Sequence, residues 1–128
     1  MVRKDLNMGR GKTASQVAHA SMKVFFDRMI YSHPGSEDTQ NDQMYSCNFT
    51  PEMRYWVDNS FTKICVGVDS EEKIIHLHAQ AEMDGIPCAL ITDKGVTQFR
   101  GVPTVTCLAI GPADSDKIDS ITGDLHLL

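Results

Sequence analysis

Asp5-Leu6-Asn7-Met8-Gly9-Arg10-Gly11-Lys12-Thr13-Ala14-Ser15-Gln16-Val17-Ala18-His19-Ala20 reads as the end of a strand, a glycine-bearing turn and the opening of a helix. Gly9 and Gly11 reach backbone angles closed to other residues, so they are expected to make the turn. From Thr13 onward the spacing is helical. With 3.6 residues per turn, Lys12, Gln16, His19 and Lys23 fall within roughly 60° of one another on one face. Ala14, Val17, Ala18, Met22 and Phe25 occupy the opposite face, which is expected to be buried. Spacing alone favours an ordinary solvated face for the polar row. A strand feeding a glycine turn and a helix nevertheless sets the fold class as α/β.

Outward from that stretch, Met1–Lys4 is short for a central strand; either the native start lies upstream or the strand is trimmed. The first helix is expected over about 12–30, ending before Ser32-His33-Pro34-Gly35, because Pro cannot continue it. Residues 32–50 lack an apolar period and read as an exposed loop. A short helix after Thr50 has Pro51 at its first position, with Tyr55, Trp56 and Phe61 expected to pack it onto the core. Phe61–Val68 reads as a buried strand, and Asp69 as the cap of a helix to about Met83, with Glu72 three residues on. Pro87–Thr92 and Thr104–Ile110 read as further strands, and Asp114 or Ser115 as the cap of a last helix over Asp116–Ile121, closed by Gly123. Alternating strands and helices imply parallel pairs. Only about ten residues join the last two strands, too few for a usual helical crossover, so that pair or its neighbour is expected to be antiparallel.

The chain has 128 residues, 41% of them hydrophobic, enough for one domain with a real core. No apolar run approaches the roughly 20 residues needed to span a membrane. Cys47, Cys65, Cys88 and Cys107 form no Cys-x-x-Cys pair, a usage that fits a reducing cytoplasm better than disulfides or zinc. Net charge is −5, yet residues 1–28 carry six Lys or Arg against two acids. That asymmetry suggests a local basic surface for a polyanion on an acidic body, although small chains also fluctuate by a few charges.

A second cluster, Thr92-Asp93-Lys94-Gly95-Val96-Thr97-Gln98, begins where a strand ends, the edge at which α/β sheets bind ligands. Standing alone, Asp-x-Gly is a common turn. Taken together, three strings resemble the type 2 peptidyl-tRNA hydrolases. The first is Asp5, Leu6, Met8, Gly9, Gly11, Lys12, Gln16, His19 and Ala20. The second is Asp93, Gly95, Thr97 and Gln98, and the third is Thr104 and Thr106 leading to Leu108-Ala109-Ile110-Gly111-Pro112. Lys94, where a small residue is usual, and Val102-Pro103 depart from the family pattern. The resemblance covers nearly the whole chain apart from a polar insertion at about 31–60. With the strand order, it implies a single-domain, three-layer α/β fold with a four-stranded, mostly parallel (mixed) sheet and helices on both faces.

The resemblance implies hydrolysis of the ester joining a peptide to the 3′ end of tRNA, in the cytoplasm, with a homodimer expected from the family. Ester hydrolysis needs a positioned or activated water and a stabilised oxyanion. On this reading Asp93 orients or deprotonates water, Lys12 stabilises the oxyanion or binds the terminal phosphate, and Thr97 bonds Asp93 or substrate. His19 is an acid/base group, an orienter or a substrate contact. Gln16, Gln98 and Thr104 are expected to touch substrate, and Arg3, Lys4, Arg10 and Lys23 to hold tRNA phosphates. No cofactor or metal is required, and His33, His76, His78 and His126 show no ligand spacing. The alternative is a catalytically inactive RNA- or protein-binding module of the same fold.

Overall fold

Apolar residues with β-branched neighbours form the sheet, and amphipathic segments with capping residues form the helices that cover it. The computed structural model describes residues 1–32 and 44–128. In chain order the elements are β1 (Val2–Arg3), α1 (Arg10–Phe26), β2 (Met29–Ser32), β3 (Met44–Cys47), α2 (Pro51–Tyr55), β4 (Gly67–Val68), α3 (Glu71–Met83), β5 (Cys88–Asp93), β6 (Thr104–Ile110) and α4 (Ser115–Thr122). A single π-helical turn, Trp56–Ser60, follows α2.

The sheet is four-stranded and mixed, in the order β4-β1-β6-β5. β1 runs parallel to β4 and antiparallel to β6, and β5 is antiparallel to β6. Three strands therefore share one direction, but β6 lies between two of them, so only one bonded pair is parallel. The short β5–β6 connection does give the expected antiparallel pair. Beyond β4, Val66 bridges Leu127, and Leu128 N–H donates to the Cys65 carbonyl at 2.9 Å, so the chain's last residues cover that edge.

Strand alternation divides the core. Leu108 joins Val68, Ile74, Leu77, Ala81, Ile86 and Ile121 on the side of α3 and α4. Cys107 joins Val2, Ala20 and Ile91 on the side of α1. Helices thus lie on both faces, in three layers. The cysteines are free, and burial pushes the Cys107 thiol up to about 11, so it serves as a small apolar filler.

Several local expectations change. The first helix ends at Phe26, not near residue 30, because Met29–Ser32 pairs with Met44–Cys47 in a separate hairpin. Tyr31 and Tyr45 face each other there with ring centroids 5.4 Å apart, a cross-strand pairing that outweighs continued helix. The loop expectation over 32–50 is corrected at β3; residues 33–43, with His33, Pro34 and Gly35, lie outside the described residues. The buried face of α1 is also rotated: Ala14, Ala18 and Met22 are exposed, while Gln16, Ala20 and Val24 are buried. Gln16 can turn inward because hydrogen-bond partners await it there.

The turn before α1 places Asn7, not a glycine, in left-handed backbone (φ 47). Asn tolerates that region, and Gly9 is extended. Thr50 caps α2 as expected, accepting from Met53 N–H at 3.2 Å. The core anchor of that segment is fully buried Met53, whereas Tyr55 and Phe61 are exposed. Trp56 instead stacks on Phe25, with centroids 6.1 Å apart. Of the expected 61–68 strand only Gly67–Val68 forms β4, with Val66 adding a single bridge to Leu127, since Phe61 adopts φ 46 and Phe61–Ile64 are exposed. Ser70, not Asp69, caps α3 by accepting from Lys73 N–H, and the Asp69 carboxylate pairs with Lys4 at 3.0 Å.

Candidate active site

β1 and β5 run in the same direction, and both lead to one edge of the sheet. β1 hands over to the turn and first residues of α1, and β5 ends at Asp93. Lys12 on α1 therefore meets Asp93, with Nζ donating to Oδ2 at 2.5 Å and to Thr97 Oγ1 at 3.3 Å. Gln16, one turn further along α1, donates from Nε2 to the same Oδ2 at 2.8 Å. The Gly95 N–H donates to Oδ1 at 2.8 Å. These donors, led by Lys12, hold the Asp93 carboxyl below the usual carboxylate range.

The loop after β5 folds back on itself. Gly101 N–H donates to the Gly95 carbonyl at 3.0 Å and Val102 N–H to the Phe99 carbonyl at 2.9 Å. Gly95 has φ 78, and a side chain there would press on the Val102 backbone, so only glycine fits. Phe99 lies beneath the Lys12 ammonium, 5.7 Å from ring centroid to Nζ. Gly11, Lys12, Ser15, Gln16, His19, Ile91, Asp93, Val96 and Thr97 are among the residues around an open cleft of about 590 Å³.

The structure brings together Lys12, Gln16, Asp93 and Thr97, with His19 on the cleft wall, exposed and making no hydrogen bond among the described residues. Gln16 borders the cleft but is 2% exposed, its amide held between the Asp93 carboxylate and the Thr106 hydroxyl. Thr104 pairs with Asp93 across the strands and spends its hydroxyl on the Val102 carbonyl at 2.9 Å. Gln98 is half-buried and outside the cleft lining.

The expected phosphate contacts separate. Arg3 is 8% exposed, with its guanidinium on Asp5 at 2.6 Å, Glu71 at 2.6 Å and the Val105 carbonyl at 3.0 Å, so it ties β1 to α3 and β6. Lys4 is paired with Asp69, and Lys23 with Asp27 at 2.7 Å one turn along α1. Arg10 is exposed without an ion pair among the described residues, as are Lys94 and Arg100 in the loop after β5. Arg100 was not singled out by the sequence; a basic residue in a glycine-bearing loop gives no sign that the loop folds back beside α1. Thr106, fully buried and donating to Gln16, was named only as part of a threonine-rich strand. No group of three or more His, Cys, Asp or Glu side chains converges as for a metal ion among the described residues. No described helix is long and apolar enough to cross a membrane.

Fold and site together define an α/β protein with a lysine–aspartate–threonine cluster at the strand ends. The chain matches the family described as "Peptidyl-tRNA hydrolase PTH2" over residues 1–128, and it belongs to that family. It is 40% identical over 128 residues to a peptidyl-tRNA hydrolase of Metallosphaera sedula, spanning 100% of this chain and 96% of that one. A peptidyl-tRNA hydrolase of Haloquadratum walsbyi is 40% identical over 127 residues, spanning 99% and 95%. One of Methanocaldococcus jannaschii is 35% identical over 128 residues, spanning 100% and 96%.

Proposed function

We propose that this protein is a peptidyl-tRNA hydrolase, a carboxylic ester hydrolase that frees tRNA from a peptide or an N-blocked amino acid. The observation that carries the reading is the Lys12–Asp93–Thr97 cluster in one cleft of a chain that matches this family throughout. Water adds to the ester carbonyl carbon and the bond to the terminal ribose oxygen breaks. The peptide leaves as a carboxylate and the ribose oxygen takes up a proton.

Asp93, held ionised by its donors, is a weak base and suits the orientation of water more than its full deprotonation. Lys12, 17% exposed, can turn from Asp93 to the carbonyl oxygen as negative charge develops there. Thr97 offers a hydroxyl beside both groups, and exposed His19 contacts the substrate across the cleft. Arg10, Lys12, Lys94 and Arg100 meet phosphates near the 3′ end, with Lys4 and Lys23 at the margin. Contacts of this kind do not read bases, which suits an enzyme that accepts many tRNAs. The reading places the enzyme in the cytoplasm as a homodimer, built from one domain over 1–128 in which residues 31–60 are an insertion.

The test is release of the amino acid from N-acetyl-aminoacyl-tRNA. Lys12→Ala and Asp93→Ala are each expected to lower kcat by about 10²–10³. No release above background by the unmodified protein would overturn the function. Full activity in both variants would overturn the site.

A further inference from the structure

β6 breaks its alternation at one residue. Ile91 faces Cys107 and Thr92 faces Val105, so Thr106 is an extra residue on β6, a β-bulge. Val105 and Leu108 pack toward α3 and α4, while Cys107 and Ala109 pack toward α1. Strict alternation would set Thr106 on the side of Leu108. The bulge turns it to the α1 side, where its hydroxyl donates to Gln16 Oε1 at 2.6 Å. Thr106 is fully buried, and Gln16, although it borders the cleft, is only 2% exposed.

The bonding fixes the amide. A carboxylate only accepts, so Gln16 must present Nε2–H to Asp93, and its Oε1 then needs a donor, which Thr106 supplies. Asp93 Oδ2 has two side-chain donors, Lys12 and Gln16. When Lys12 turns to the substrate, Gln16 is the one that stays. We infer that Thr106, re-aimed by the bulge, is a positioning residue that acts through Gln16 to keep the Asp93 carboxylate in place during hydrolysis. This rests on the hydrolase reading above.

The experiment measures kcat and KM against pH for N-acetyl-aminoacyl-tRNA in Thr106→Val and Thr106→Ser. Thr106→Val is expected to lower kcat about tenfold or more, leave KM within about twofold, and move the acid limb to higher pH. Thr106→Ser, which keeps the hydroxyl, restores both. In a Gln16→Met background, adding Thr106→Val changes kcat less than about twofold, because the route through Gln16 is already gone. Unchanged kcat in Thr106→Val, equal impairment of the valine and serine variants, or a full further loss in the Gln16→Met background would each overturn the inference. If Thr106→Val alone does not fold, Gln16→Met is compared with the double variant, which removes both polar partners together: equal kcat supports the inference and a lower one overturns it. A ¹³C titration of the Asp93 carboxyl decides without activity. Thr106→Val should raise its midpoint; an unmoved midpoint overturns the inference even if the unmodified protein hydrolyses nothing, a result that would separately sink the functional reading.

Discussion

Asp93 is where the residue chemistry concentrates. Its side chain is 15% exposed and accepts from Lys12, Gln16 and the Gly95 N–H. Its folded pKa is lowered relative to the unfolded value of about 3.9, so it adds stability above that value and loses it as pH falls through the folded pKa. Asp5, held down by Arg3, acts in the same direction. Thermal unfolding should therefore be flat near neutrality and decline from about pH 4 downward. Asp93→Asn should lower the neutral plateau, and its gap from the unmodified protein should close in acid. A gap that stays constant to the lowest pH would show that the carboxylate's charge is not what the cluster holds.

At the scale of elements, α1 is the one that joins stability to chemistry. Ala20 and Val24 seat it on the sheet, and its next rows carry Gln16 to a buried bond and Lys12 to the cleft. The segment after β3 is held differently. Its exposed aromatics contribute little burial, and fully buried Met53 on α2 is its anchor in the core. Met53→Ala should cost about 2–5 kcal/mol, read as the change in urea midpoint with an unchanged slope. A cost under about 1 kcal/mol would mean that α2 is held by its aromatic neighbours instead.

For the whole molecule, charge distribution decides how an acidic protein meets an anionic substrate. Net charge is −5, yet Arg10, Lys12, Lys94 and Arg100 all belong to the two segments that frame the cleft. Binding of deacylated tRNA should weaken linearly in log–log against salt. Arg10→Ala should reduce the slope by nearly one unit, as expected for one lost phosphate contact. Lys23→Ala should do less, because Asp27 already engages that ammonium. Equal slopes for the unmodified protein and Arg10→Ala would remove Arg10 from the RNA path.

Local patterning determined the α/β class, the positions of β5, β6 and α4, the cap Thr50 and the choice of Asp114 or Ser115 before α4, whereas Lys12, Asp93 and Thr97 are singled out by the motif strings of the family resemblance and not by spacing alone. Those features depend on short-range periodicity, turn chemistry and motif strings that one chain displays directly. Which face of α1 is buried was not legible, because an apolar stripe suggests burial whereas the tertiary bonds of Gln16 draw a polar residue inward. The insertion of β6 between β1 and β5 depends on long-range pairing, which carries no local signal. Arg3 likewise looked like a free cation until folding set it between Asp5 and Glu71. Thr106 marks the boundary most sharply: its residue type is written in the sequence, but a single bulge in the ladder chose the face to which its hydroxyl points.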